Sequence, residues 1–378
     1  MFKSFFTFCL VGGITLVVLG QQPWPAQKAN AWYAKQPFLV GANFVPSNAI
    51  NQLEMFQAET FDPATIDKEL GWAAAIGMNT MRIFLHDLLV QQDPQGFFKR
   101  LDQVLSICAK HNIKPMLVLF DSCWYPFPAT GPQQAPTPGI HNSYWLQSPG
   151  ANALTDVSQY PRLEMYVKSV VNRFKNDNRI LMWDIWNEPD NTNTNSWGKS
   201  GKNVEPAHKV TIITHLLPHV FRWVRSQNPS QPVTCGVWQP WNNNLWQDLN
   251  RISEIEKIQF ENSDVITFHH YGKPEDFEKI IQTLNRYGRP LICTEYMARG
   301  SNSLFTNILP IAKKYKVGAI NWGLVAGKTQ TNLPWDSWQN PYINGREPKV
   351  WFHEVFLPDG NPYKPEEVEA IKAATGKK

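Results

Sequence analysis

After Gln36 the chain repeats one rhythm eight times: a short apolar run, then a longer stretch with a one-sided apolar pattern. No other feature restricts its fold as much. Parallel strands covered on both faces read as continuous apolar runs, and the helices returning between them carry a 3.6-residue stripe. The strand candidates are Phe38–Val45, Asn79–Leu85, Lys114–Phe120, Ile180–Trp186, Pro232–Trp238, Val265–Tyr271, Pro290–Tyr296 and Gly318–Gly323. Between them, Phe98, Leu101, Leu105 and Cys108 recur at helical spacing. So do Leu163, Tyr166, Val170 and Phe174, and Val210, Ile213, Leu217 and Phe221. Pro218 falls inside the last stripe and is expected to kink it. Eight such units predict a single α/β domain, a closed (β/α)8 TIM barrel with long βα loops, over residues 37–378.

Two connections are long. Residues 121–160 are rich in Pro, Gly, Ser and Asn and carry Trp124, Tyr125, Tyr144 and Trp145. Residues 190–203 form a second polar loop with Trp197. Both follow expected strands, which puts them on the barrel face where active sites form. The tail from Trp351 to Ala374 holds an Asp359-Gly360 turn and a helical pattern after Pro365, and is expected to close the barrel from outside.

The N-terminus reads as an export signal over residues 1–20. Lys3 precedes an uncharged, mostly apolar run from Phe5 to Gly20, with small residues before Gln21. Cleavage there leaves residues 21–36 as an N-terminal segment and a periplasmic or secreted protein with no stable membrane insertion. An uncleaved anchor is the alternative, although the run is short for a spanning helix of about 20 residues. Cys108, Cys123, Cys235 and Cys293 show no C-x-x-C spacing, so a structural zinc is not expected; buried free thiols, or one disulfide, are.

Lys plus Arg total 36 against 32 Asp plus Glu, too even a balance to indicate a nucleic-acid partner. Sixteen tryptophans exceed the needs of a core, and many stand in polar, Pro-rich stretches. Such rings anchor loops or stack on the C–H faces of sugars.

The chemistry concentrates at strand ends. Trp183-Asp184-Ile185-Trp186-Asn187-Glu188-Pro189 ends an apolar strand in a carboxylate with an amide beside it. Pro189 cannot extend a ladder and biases Glu188 toward an extended backbone. A helix-start glutamate would satisfy a lone Glu, but not the whole string. Leu291-Ile292-Cys293-Thr294-Glu295-Tyr296 ends a second strand in a carboxylate. Period two puts Leu291, Cys293 and Glu295 on one face, with Cys293 inside the barrel beneath Glu295. Cleaving a glycosidic bond needs such a pair, one acid to protonate the leaving oxygen and one carboxylate at the oxocarbenium-like centre. His269 and Tyr271 share a face and are expected at the mouth, Tyr271 donating to Glu295 and His269 holding a sugar hydroxyl. Arg82, a charge inside an apolar strand, requires a carboxylate partner, with Glu295 the candidate. Trp322 ends the last strand, either as the floor under a sugar or as a cap on the core.

In that order, the Asn-x-x-Arg ending in Arg82, Trp186-Asn187-Glu188-Pro189, His269-x-Tyr271, Thr294-Glu295 and the late Trp322 resemble glycoside hydrolase clan A, most closely the cellulase-like family 5. The resemblance spans the chain after the leader. It implies that Glu188 is the acid/base and Glu295 the nucleophile of a retaining hydrolase of β-glycosidic bonds. It further implies that Asn187 binds the sugar 2-hydroxyl, that Arg82 and Tyr271 orient Glu295, and that His269 and Trp322 line the reactive subsite. One departure stands out: many members end the third strand in a His, whereas this chain reads Leu119-Phe120-Asp121-Ser122-Cys123-Trp124.

The expected substrate is a β-1,4-linked oligo- or polysaccharide such as mannan, xylan or glucan, in a cleft lined by Trp124, Tyr125, Trp238, Trp241, Trp335 and Trp338. Neither cofactor nor metal is expected, since apart from His269-His270 no ligand cluster shows at the strand ends. The chain is expected to act as a monomer. An exo-acting glycosidase, a transglycosylase with the same pair and a non-catalytic carbohydrate-binding barrel remain as alternatives.

Overall fold

The computed structural model describes residues 22–194, 196, 205–239 and 251–378. The expected signal at 1–20, Trp197 and Trp241 lie outside the described residues. Eight strands form: β1 (Val40–Phe44), β2 (Thr80–Phe84), β3 (Lys114–Asp121), β4 (Met182–Asn187), β5 (Val233–Thr234), β6 (Ile266–His269), β7 (Leu291–Glu295) and β8 (Gly318–Trp322). Each falls where an apolar run was expected, with β3 and β4 ending one residue later, at Asp121 and Asn187, and β4 starting two residues later, at Met182. They pair in parallel in the order β5-β4-β3-β2-β1-β8-β7-β6. A bridge between Val237 and Phe268 joins the two ends. The result is a single (β/α)8 barrel.

Local chemistry starts the helices. Asp62 accepts from the backbone of Ala64 and Thr65 ahead of Pro63–Ala75, and Asp93 from Gly96 ahead of Pro94–Lys110. The stripe residues then bury: Leu101, Leu105 and Cys108 in one helix, and Leu163, Tyr166, Val170 and Phe174 in Tyr160–Phe174. Pro218 sits within a helix that runs from Lys209 to Arg225.

Inside the barrel floor, Leu39, Met116, Leu181, Met182, Val265, Ile292 and Ile320 form one apolar cluster, covered by Trp32 and Tyr33 of the helix Ala26–Tyr33. The N-terminal segment therefore plugs the end of the barrel opposite the active face. The tail helix, Pro365–Thr375, packs on the outside, where Glu367 receives Arg299 Nη2 at 2.6 Å.

Among the described residues Cys108, Cys123, Cys235 and Cys293 are all buried and free. Cys293 corrects the period-two expectation. It packs in the layer between strands and helices, while its neighbour Ile292 faces the barrel interior. Alternation would turn Glu295 outward as well. The register between β6 and β7 slips, so that Phe268 pairs with Cys293 but His269 pairs with Glu295, skipping Thr294. That irregularity swings Glu295 into the mouth.

Candidate active site

Arg82 is the hub of the mouth. It is fully buried, and a buried cation persists only when its donors are matched. Nε and Nη2 donate to Asp184 Oδ2 at 3.0 and 2.8 Å, and Nη1 donates to Glu295 Oε1 at 2.9 Å. Asn43 and Asn187 accept the remaining bonds at 3.0 and 2.8 Å. The predicted partner, Glu295, is present. Asp184 and Asn43 were missed, although Asp184 stands inside an apolar strand just as Arg82 does.

Glu295 Oε2 accepts from the Tyr271 hydroxyl at 2.6 Å. Glu188 faces it across the mouth. Oε1 of Glu188 lies 2.8 Å from His269 Nδ1, and Oε2 accepts from Asn191 Nδ2 at 2.6 Å and from the Cys123 thiol at 3.1 Å. His269 Nδ1 is also 3.5 Å from Glu295 Oε2, and a nitrogen between two carboxyl groups carries its proton there. This leaves Nε2 of His269 bare, with no partner. Burial lowers the His269 pKa to about 4, so the ring is neutral. Glu188 departs from the extended backbone expected before proline: its φ is 43°, in the left-handed region. Bonds on both carboxyl oxygens hold that strained conformation.

Burial raises both glutamates above the ordinary carboxylate range. The opposing groups are distributed unequally. Glu295 has the Arg82 cation and the tyrosine hydroxyl in contact, whereas Glu188 has a thiol, an amide and an imidazole. Of the two, Glu295 is therefore the better seat for the negative charge and Glu188 for the proton.

Asn187, at the end of β4, does not stand free. Its Oδ1 is held by Arg82, and its Nδ2 donates to Asp121 Oδ1 at 2.9 Å. Asp121, buried and raised to about 6 by desolvation, also accepts from Trp145 Nε1 at 2.7 Å. Asp121 and Cys123 thus occupy the stretch where the sequence departs from the family pattern. The signal that revealed Glu295, a carboxylate closing an apolar strand, is equally present at Asp121. Behind this stretch the buried Lys209 donates to Ser122 O at 2.9 Å and pairs with Glu205.

One pocket gathers Asn187, Glu188, His269, Tyr271, Glu295 and Trp322. Trp124, Trp238 and Trp335 also line it, whereas Tyr125 packs in its loop against Tyr144 and Phe127. Trp338 stacks on Trp124, with centroids 5.7 Å apart. Trp322 stands edge-on to Phe84 and Trp145 and also lines the pocket. Glu188, His269 and Glu295 offer atoms within 4.8 Å of one another, a geometry that metal sites share. Here the Arg82 guanidinium already supplies a cation to Glu295.

A parallel eightfold barrel with two glutamates facing each other at its strand ends is the architecture of barrel glycosidases. Residues 45–340 match the family described as Cellulase (glycosyl hydrolase family 5), and the chain belongs to that family. The fold is similar to an endo-β-1,4-mannanase from Thermotoga petrophila, with 15% identity over 91% of this chain and 77% of that one, TM-score 0.55. It is similar also to an exo-β-1,4-mannosidase from Opitutaceae bacterium strain TAV5, with 17% identity over 95% and 62%, TM-score 0.55. An endo-1,4-β-mannanase from Rhizomucor miehei gives 14% identity over 89% and 98%, TM-score 0.55. No curated protein matches the chain.

Proposed function

We propose that this chain is a retaining β-glycosidase working by double displacement on a β-1,4-linked glycan. One observation carries the reading. Oxygens of Glu188 and Glu295 lie within 4.8 Å of each other, with the charge-stabilising groups on Glu295. Retaining pairs stand about 5 Å apart, whereas inverting pairs need several ångströms more for a water.

In the first step a Glu295 oxygen bonds to the anomeric carbon as the glycosidic C–O bond breaks, and the Glu188 proton passes to the leaving oxygen. In the second, water gives its proton to Glu188 and its hydroxyl to the anomeric carbon, releasing Glu295. Arg82 and Tyr271 keep Glu295 ionised between turnovers. Asn191, Cys123 and His269 aim the Glu188 carboxyl. The family and the mannan-acting neighbours favour a β-glycan, with mannosyl units first in any panel and xylan and glucan beside them. The apolar leader supports export, and among the described residues no helix is long and apolar enough to cross a membrane.

The test compares wild type with Glu295→Ala on aryl β-glycosides and β-linked polysaccharides. Loss of turnover, with azide restoring part of it as a glycosyl azide, supports Glu295 as nucleophile. Turnover that survives the substitution refutes that role. Proton NMR of the first product reports retention or inversion.

A further inference from the structure

The pocket is walled unevenly. Among the described residues its lining comes from the ends of β4, β6, β7 and β8 and from segments after β3, β4, β5, β6 and β8, and none follows β1 or β2. Across that sector the segment after β3 is bonded to the segment after β8. Gln330 Nε2 donates to Thr137 O and Ile140 O at 2.8 and 3.1 Å, and its Oε1 accepts from Gly139 N at 3.0 Å. Asn142 N donates to Thr329 O at 2.8 Å, and His141 N to Ser337 Oγ at 3.0 Å. Because the sheet runs β3-β2-β1-β8, this seam spans two strands and closes their side of the mouth.

Two side chains on the seam lack the partners their burial demands. Asn142 is fully buried, yet neither its amide oxygen nor its amide nitrogen is hydrogen-bonded. His353 is equally buried. Its Nδ1 donates to Met297 O at 2.6 Å, so Nε2 is an acceptor, and it too has no partner. A buried polar group without a partner is costly, and three such atoms on one wall suit a ligand rich in hydroxyls. The wall adjoins the reaction centre. The His353 ring stands 5.6 Å from that of Tyr271, whose hydroxyl holds Glu295, and Trp335 packs edge-on to Tyr271 at 5.1 Å. Trp124, held at φ 104°, adds a second ring to the lining.

The inference rests on the proposed roles of the two glutamates. If Glu188 protonates the leaving oxygen, the leaving sugar departs past Asn191 and Trp238, on the β4–β5 side. The seam then meets the opposite end of the sugar bound at Glu295. We propose that the seam makes this end of the site blind, so that the enzyme is exo-acting: it removes one terminal sugar from the non-reducing end, and the Asn142 amide and His353 Nε2 bind that sugar's hydroxyls remote from the anomeric carbon.

Reducing-end-labelled manno-, xylo- and cello-hexaoses test it. A blind end releases monosaccharide and labelled pentasaccharide first, followed by a descending ladder. Labelled di- and trisaccharides at the earliest times would show that the cleft runs through, and would overturn the proposal. Asn142→Ala, with folding checked by its melting curve, lowers kcat/KM by about tenfold or more, by the same factor on the hexaose and on the matching 4-nitrophenyl monoglycoside. Unchanged values on both overturn it as well. Binding decides independently of turnover. In Glu295→Ala, methylating O4 of the terminal sugar weakens hexaose binding by about tenfold or more in calorimetry, and equal binding refutes the blind end. Absence of turnover by the wild type on every substrate, with this methyl sensitivity intact, would refute the glycosidase reading and leave the blind pocket standing.

Discussion

The Cys123 thiol donates to Glu188 Oε2 across 3.1 Å, on the same oxygen that receives Asn191. A thiol is a weak donor, but one aimed at a buried carboxyl favours its ionised form. The contact therefore opposes the rise that burial imposes on Glu188. Cys123→Ala removes the donor and moves the alkaline limb of kcat/KM upward, while Cys123→Ser, with a stronger donor, keeps it in place or moves it down. A pH–rate series on the three proteins reads the direction. An unmoved limb in both variants would mean that the thiol does not act on Glu188.

Tyr271→Phe deletes the hydroxyl 2.6 Å from Glu295 Oε2 and little else. A hydrogen bond to a charged group contributes about 1.5–3 kcal/mol, so kcat/KM should fall roughly 10–100-fold. Losing a donor to the carboxylate raises the Glu295 pKa, so the acidic limb of the profile shifts upward. Steady-state kinetics over pH check both effects. The thermal midpoint should change little.

Arg82→Met should be a stability variant first and an activity variant second. It strands Asp184, fully buried and bonded twice to that guanidinium, together with Glu295. Breaking a buried pair from one side costs about 3–5 kcal/mol. Urea unfolding measures it. Arg82→Met/Asp184→Leu should recover part of the loss, because Asp184 is then no longer stranded and only Glu295 lacks its cation.

Glu354 gives the fold a pH dependence separate from catalysis. Burial raises its pKa from 4.5 to about 8, and among the described residues only the Thr331 hydroxyl is bonded to its carboxyl. The folded state holds the proton more tightly than the unfolded state. Its stabilising contribution is thus complete below the ordinary value and is lost as pH rises toward 8. Glu69, raised to about 7 by burial, acts in the same direction. Melting curves of wild type and Glu354→Gln across that window should diverge with rising pH, the variant losing less stability. Parallel curves would remove Glu354 as the cause.

Much of this was legible from local pattern. The eight strands follow from apolar runs long enough to be buried on both faces, and the helices between them from one-sided apolar stripes such as Leu163, Tyr166, Val170 and Phe174. Arg82, Asn187, Glu188, His269, Tyr271, Glu295 and Trp322 stood out because charged, polar or aromatic side chains ending apolar strands need a reason. All seven meet at one mouth.

Two local rules failed at that mouth. The pre-proline bias does not hold at Glu188, with its φ of 43°, and strict alternation does not hold at Glu295, where the β6–β7 register slips. Strand-end irregularities answer to partners on other strands, which a sequence window does not contain.

By itself, then, the sequence determined the barrel, its active face and the glutamate pair, because burial periodicity and the cost of a buried charge act within single segments. Tertiary structure alone decided which groups complete the site. Cys123 reaches Glu188 from 65 positions away, and Arg82 spans 102 positions to Asp184 and 213 to Glu295. Asn142 and His353 line one wall only because the loops after β3 and β8 are joined. Those contacts depend on where barrel closure brings separate strand ends, and no local periodicity encodes that distance.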